Sequence, residues 1–251
     1  MTALPSLIRQ IGDPVLHAAP GRADPGDAAG IEASATGLAE KEHRYGGVGI
    51  ASNQCADIAV PLAIILVGSD DAATREAAQR RYPGETIPPA TLMINPEIMR
   101  LDGERYFPPH GEGCLSVAGP IRGKVARYRS LRLRYQQADG IVCERDCSGF
   151  EAHIVQHECD HLRGVVFLQT IFEECDADQR ASIAAALQAE ARRRELAPAE
   201  AVPAPGDPVM VFDRAGDAVV FDVDSLAQAL TRVPAATLAG MSASLSALPA
   251  Q

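Results

Sequence analysis

The alternation of apolar and polar positions is plainest where Leu131, Leu133 and Tyr135 are separated by Arg132 and Arg134. That period of two predicts a half-buried strand. Ala138-Asp139-Gly140 then predicts a turn, and Ile141 to Cys147 a returning hairpin partner. Val60 to Val67 is a continuous apolar run of strand length. Thr91 to Met99 has strand character, broken at Asn95-Pro96. Residues 31–45 predict a modest helix. Residues 68–90 read as an insertion, with a charged helical piece from Asp71 to Arg81. Ser148 to Gly164 predicts one helix: Ser148 with Glu151 is a capping-box pair, and Gly164 suits a left-handed stop. A short strand is expected from Val165 to Thr170. Asp176 to Glu195 predicts a further helix, acidic at its start and closed by Arg192-Arg193-Arg194. Four prolines between Ala197 and Pro208 mark a linker. The tail offers strands at Val209–Phe212 and Val219–Val223, with Asp213 to Asp217 as turn.

Composition narrows the class. Apolar residues make up 47% of the 251, enough for a core. The formal net charge of −10 argues against a nucleic-acid or membrane-surface protein. The first ten residues lack a basic start followed by an apolar run, so no secretory signal is expected, and no apolar stretch reaches membrane-spanning length. Six cysteines in a chain this long fit a reducing cytoplasm, where thiols are metal ligands or core residues. Cys143 and Cys147 share one strand face and are read as packed thiols rather than a second metal site.

The candidate chemistry lies in the 148–164 helix. His157-Glu158-Cys159-Asp160-His161 is an H-E-x-x-H motif. Residues four apart share one helix face, so His157 and His161 can grip one ion, with Glu158 beside it to move protons. A third ligand is needed, and the candidates are Cys114, His153, Cys159, Glu158 and Asp160. His153 stands about 12 Å along the axis from His161, too far for one ion to hold both. A His153/His157 pair would leave Glu158 poorly placed. Cys159 and Asp160 point off the His157/His161 face. Cys114, in Glu112-Gly113-Cys114-Leu115-Ser116, is the better candidate. One thiolate and two imidazoles leave a fourth position for water, the mark of a catalytic site.

Three segments together resemble peptide deformylase, in that family's order: Gly47-Val48-Gly49-Ile50-Ala51-Ser52-Asn53-Gln54, Glu112 to Ser116, and Gln156 to His161. Gly12 to Leu16 and Ile94-Asn95-Pro96 are also similar to stretches found there. The resemblance covers roughly residues 5–172. Ser52 stands where alanine is usual, and Ala118-Gly119-Pro120 replaces a more usual proline. With the predicted elements, the resemblance implies an α+β fold of mixed, mostly antiparallel sheets around a central H-E-x-x-H helix, with a C-terminal helix and tail. The expected organisation is a catalytic domain at 1–175, a helix at 176–196, a linker at 197–208 and a small appendage at 209–251.

The resemblance further implies removal of the formyl group from the formyl-methionine of new polypeptides, with release of formate. One divalent ion would be held by Cys114, His157 and His161, usually Fe(II) in the cell, with zinc, nickel or cobalt as other occupants. Glu158 would transfer the proton, and the Gln54 amide and Leu115 N–H would receive the oxyanion. Val48, Phe150, His153 and Ile154 would line the pocket for the methionine side chain. Gly49, Ile50, Glu112 and Gly113 would meet the substrate backbone. Asp160 would pair with Arg127, and Arg122 would lie near the site. Expected partners are N-formylmethionyl peptides or nascent chains and, transiently, the ribosome, with no membrane and no specific nucleic acid. The alternative function is a related metallohydrolase acting on another amide or peptide, for which the polar His153 and the 68–90 insertion speak.

Overall fold

The structure, a computed structural model, describes residues 8–9, 13–117, 121–123, 125–167 and 170, and the strands at 210–215 and 218–220. The chain divides into two compact units. The first comprises Met1–Arg9, Val15–Tyr106 and Ala126–Val165. It contains α1 (Ala28–Tyr45), β1 (Gly49–Ala51), β2 (Ile64–Val67), α2 (Ala72–Arg81), β3 (Thr91–Tyr106), β5 (Arg127–Gln136), β6 (Val142–Ser148) and α3 (Gly149–His161). Its sheet runs β1-β2-β3-β5-β6, with every neighbouring pair antiparallel. The α+β architecture with a mostly antiparallel sheet is therefore the expected one.

The alternation at 131–135 has the predicted consequence. Leu131, Leu133 and Tyr135 are buried, and the intervening arginines sit on the other face. The core joins these residues to Ile65, Val67 and Met93 of the sheet and to Phe150, Ala152, Ile154, Val155 and Cys159 of α3. Cys147 lies in the same core and Cys143 packs against it, as read from their shared face.

Eleven of the thirteen α3 residues are buried, including Gln156, Glu158, Asp160 and three histidines. A polar helix buried this fully needs a partner for each buried polar group. Gly164 adopts φ 78°, and a Cβ there would collide with the His17 carbonyl. The left-handed stop is real.

Several expectations need correction. Ser148 makes no side-chain capping bond, and the Glu151 carboxylate, the other half of the expected box, accepts from Arg145 at 2.6 Å. β3 is bulged rather than broken at Asn95-Pro96. Asn95 takes φ 50°, and its amide bonds the Ala23 backbone at 2.8 and 2.9 Å and Gln136 at 2.7 Å, in place of ladder bonds that Pro96 cannot make. The run at 60–67 is strand only from Ile64, and Val60 is 77% exposed. The described residues between Val165 and Thr170 form no strand: Phe167 and Thr170 are helical, the ambiguity that short apolar runs carry.

The second unit comprises Gln10–Pro14, Phe107–Val125 and Val166–Gln251. Its sheet joins β4 (Ile121–Gly123), β7 (Met210–Ala215) and β8 (Ala218–Val220), with β4 and β7 parallel. Ala215 faces Ala218, so the tail hairpin closes later than the expected 213–217 turn. The predicted helix at 176–196 and linker at 197–208 lie outside the described residues.

Two outcomes follow. Replacing Gly164 with Ala forces a side chain into a left-handed position against a backbone carbonyl. A loss of about 1–3 kcal/mol is expected in urea unfolding. Burial pushes the thiols of Cys55 and Cys159 up to about 12 and that of Cys147 to about 11. In the unfolded chain such thiols ionise near 8.5. The folded state therefore binds their protons more tightly, and stability held below about pH 8.5 is lost as pH rises toward 11–12. Urea midpoints measured across that window should fall, and less so in a variant carrying Ala at all three positions.

Candidate metal centre

His157 and His161 stand one helical turn apart on α3 and their rings meet edge to face, with centroids 5.0 Å apart. His161 is fully buried and His157 is 8% exposed. Cys114 lies in a turn closed by the Val117 N–H on its own carbonyl at 3.0 Å. The Ser116 N–H points to its sulfur at 3.4 Å. Just before it, Glu112 and Gly123 exchange backbone bonds at 2.7 and 2.8 Å. The donor atoms of Cys114, His157 and His161 all lie within 4.8 Å of one another, and among the described residues this is the group that could hold a metal ion. Donors bound at about 2.0–2.3 Å can share one ion at that spacing, and one sulfur with two imidazoles suits a divalent transition metal.

Glu158 is 3% exposed and lies against Gly49 at the start of β1. A Cβ on Gly49 would collide with the Glu158 carboxylate and come within 2.7 Å of Ile154 Cγ2. The glycine is what lets the strand approach the helix so closely. Gln54 ends a single 3-10 turn, Ser52–Gln54. Its Oε1 accepts the Ala51 N–H at 2.8 Å, which fixes which end of the amide can donate.

The neighbours of α3 hold it by its polar side chains. Arg127 and Asp160 form a buried pair at 2.6 Å, as expected, and Asp160 also pairs with Arg163. The side chain of Arg122 lies outside the described residues. Val48, Phe150 and Ile154 belong to one apolar cluster, and the buried His153 ring meets Phe150 edge to face at 5.5 Å.

Sequence reasoning passed over three further supports. Gln156 donates to Tyr128 O and accepts from Tyr128 N, both at 2.9 Å, clamping α3 to β5. Asn53 donates to the His161 carbonyl at 2.6 Å and to Leu16 O at 3.1 Å. Arg9 donates to the carbonyls of Asn53, Cys55 and Ile58. Gln156 and Asn53 lay inside quoted motifs, where their type was visible but their partners were not. Nothing local marks Arg9.

Such a donor set, with a buried carboxylate one residue beyond the first histidine, defines a metal-dependent hydrolase. The family model of polypeptide deformylase matches residues 5–176. The chain belongs to that family, whose activity is removal of the N-formyl group from nascent peptides. It is 33% identical over 160 residues to peptide deformylase 1 of Nitrosomonas europaea, covering 64% of this chain and 84% of that one. It is 40% identical over 121 residues to peptide deformylase 1 of Prochlorococcus marinus, which is 48% of this chain and 57% of the relative. A Met-Ala-Ser-bound crystal structure of a class I type b peptide deformylase from Acinetobacter baumannii superposes with a TM-score of 0.57 at 28% identity, covering 68% of this chain and 99% of that one. Among the described residues, no helix is long and apolar enough to cross a membrane.

Gly49→Ala is expected to displace Glu158 and lower kcat by at least about tenfold with metal content unchanged. Turnover and metal analysis of the purified variant check it.

Proposed function

We propose that this chain removes the formyl group from N-formylmethionyl peptides and nascent chains, releasing formate. The observation that carries the reading is the approach of three donor atoms of Cys114, His157 and His161 within 4.8 Å. These three would hold one divalent ion, Fe(II) in the cell and zinc, nickel or cobalt as substitutes. When bound, the ion polarises the formyl oxygen and brings the pKa of water toward neutrality.

The chain's own groups do the rest. Glu158 takes a proton from the attacking water and delivers it to the departing amine. The Gln54 amide nitrogen and Leu115 N–H receive the negative charge that grows on the formyl oxygen. Val48, Phe150 and Ile154, with His153, enclose the first side chain. Gly49, Ile50, Glu112 and Gly113 align the substrate backbone. Arg127 and Asp160 keep α3 in register beneath the ligands. A ligand beginning with methionine, as in the Acinetobacter structure, suits that enclosure.

The catalytic domain is taken as residues 1–175, followed by the helix at 176–196, the linker at 197–208 and the appendage at 209–251. The reaction places the enzyme in the cytoplasm, in transient contact with the ribosome as chains emerge.

Formate release from formyl-Met-Ala-Ser, made on anaerobically purified protein with its metal content known, tests the reading. Cleavage of only unformylated peptides would refute it in favour of another amide hydrolase. Cys114→Ala is expected to lose the metal. Glu158→Ala should keep it and lose about 10²–10⁴-fold in turnover. Equal metal loss in the two variants would sink this division of roles. Gln54→Ala should cost about 10²–10³ in kcat with KM nearly unchanged.

A further inference from the structure

The segment from Gly68 to Ala90, read from sequence as an insertion, ends its helix at Tyr82. That residue is 8% exposed and belongs to the main core. Its ring lies 4.6 Å from that of Phe150, at 44°. Phe150 in turn meets His153 at 5.5 Å and 78°. Three rings thus stand in file from the inserted helix to the proposed enclosure for the first side chain.

The segment is tied down at each end of that file. Asp71 caps α2 through the Thr74 N–H at 2.7 Å. The Gly68 N–H donates to Val48 O at 2.8 Å, and Arg81 donates to Gly46 O. Gly68 sits at φ 85° against the carbonyls of Pro88 and Pro89, with no space for a Cβ. The Tyr82 N–H donates to Ala78 O at 2.8 Å, and Tyr82 O accepts from Glu85 N at 3.1 Å. The inserted segment therefore bonds the backbone on both sides of Gly47, just ahead of Gly49, and its tyrosine backs Phe150. Ile87 and Ala78 extend the same packing.

We propose that Tyr82 determines specificity for the first side chain by fixing the Phe150 ring and so the depth of the enclosure. This rests on the deformylase reading. Tyr82 is a positioning residue; it acts through Phe150. Removing its ring opens space behind Phe150, which can then retreat and admit a larger side chain. Shape discrimination in an apolar pocket is worth about 10–200-fold per methylene-sized change, so the effect is measurable.

The test compares wild type, Tyr82→Phe, Tyr82→Leu and Tyr82→Ala on formyl-Met-Ala-Ser and formyl-Phe-Ala-Ser. Calorimetric binding of the products Met-Ala-Ser and Phe-Ala-Ser gives a second readout. Wild type and Tyr82→Phe should prefer methionine equally. Tyr82→Ala should narrow the kcat/KM ratio about tenfold, through KM, with the binding ratio moving likewise. A merely structural role would lower both substrates in parallel and leave the ratios fixed, and that result in soluble Tyr82→Ala or Tyr82→Leu overturns the proposal. Should Tyr82→Ala fail to fold, Tyr82→Leu decides, since it fills the core without a ring. Wild-type protein that releases no formate and binds neither product would instead refute the deformylase reading itself.

Discussion

A polar helix is buried almost all round, and everything else answers to that. α3 carries Gln156, Glu158, Asp160 and three histidines, and eleven of its thirteen residues are shielded from water. Burying such groups without partners costs about 1–3 kcal/mol each, and more for a charge. For Asp160, Gln156 and the helix end, the surrounding chain meets this need locally. Arg127 answers Asp160, the Tyr128 backbone answers Gln156, and Asn53 takes the His161 carbonyl at the helix end. Arg127 and Tyr128 are consecutive, so one end of β5 does most of the holding.

The same contacts prepare a site. Two histidines can serve one ion only if their rings converge, and a helix free to roll would not keep them so. Clamps at Gln156 and Asp160 flank His157, and Asn53 grips His161 itself. Asn53 immediately precedes Gln54, so the loop carrying the proposed oxyanion donor is fastened to the helix carrying the proposed ligands. Gly49 sets the spacing from the other side, because any side chain there would meet Glu158. Orientation held in advance in this way is worth orders of magnitude in rate.

The inserted segment changes meaning once packing is known. By composition it is a charged piece between two strands, and its exposed arginines fit a surface addition. Its apolar residues are few but well placed: Ala78, Tyr82 and Ile87 all enter the main core. Tyr82 reaches Phe150 on α3, which makes an apparently optional segment part of the support for the site.

Periodicity within one element was legible from residue order alone. The alternation at 131–135, the hairpin that follows it, the stacking of His157 and His161 and the stop at Gly164 are local consequences of backbone geometry. Motif chemistry marked Cys114 and Glu158 because few residue types can hold a metal or move its protons. Short apolar runs misled at 60–63, which is exposed or half-buried ahead of the strand, and at Val165 to Thr170, where Phe167 and Thr170 are helical, since strand, loop and helix can all carry a short apolar run. Ser148 and Glu151 matched a capping pattern, but the Ser148 hydroxyl makes no cap and Glu151 pairs with Arg145 of β6. The partners of Asn53, Gln156 and Arg9 were decided only by folding. Each bonds backbone atoms, which every residue offers alike, so nothing in the order of side chains reveals which carbonyl will be met.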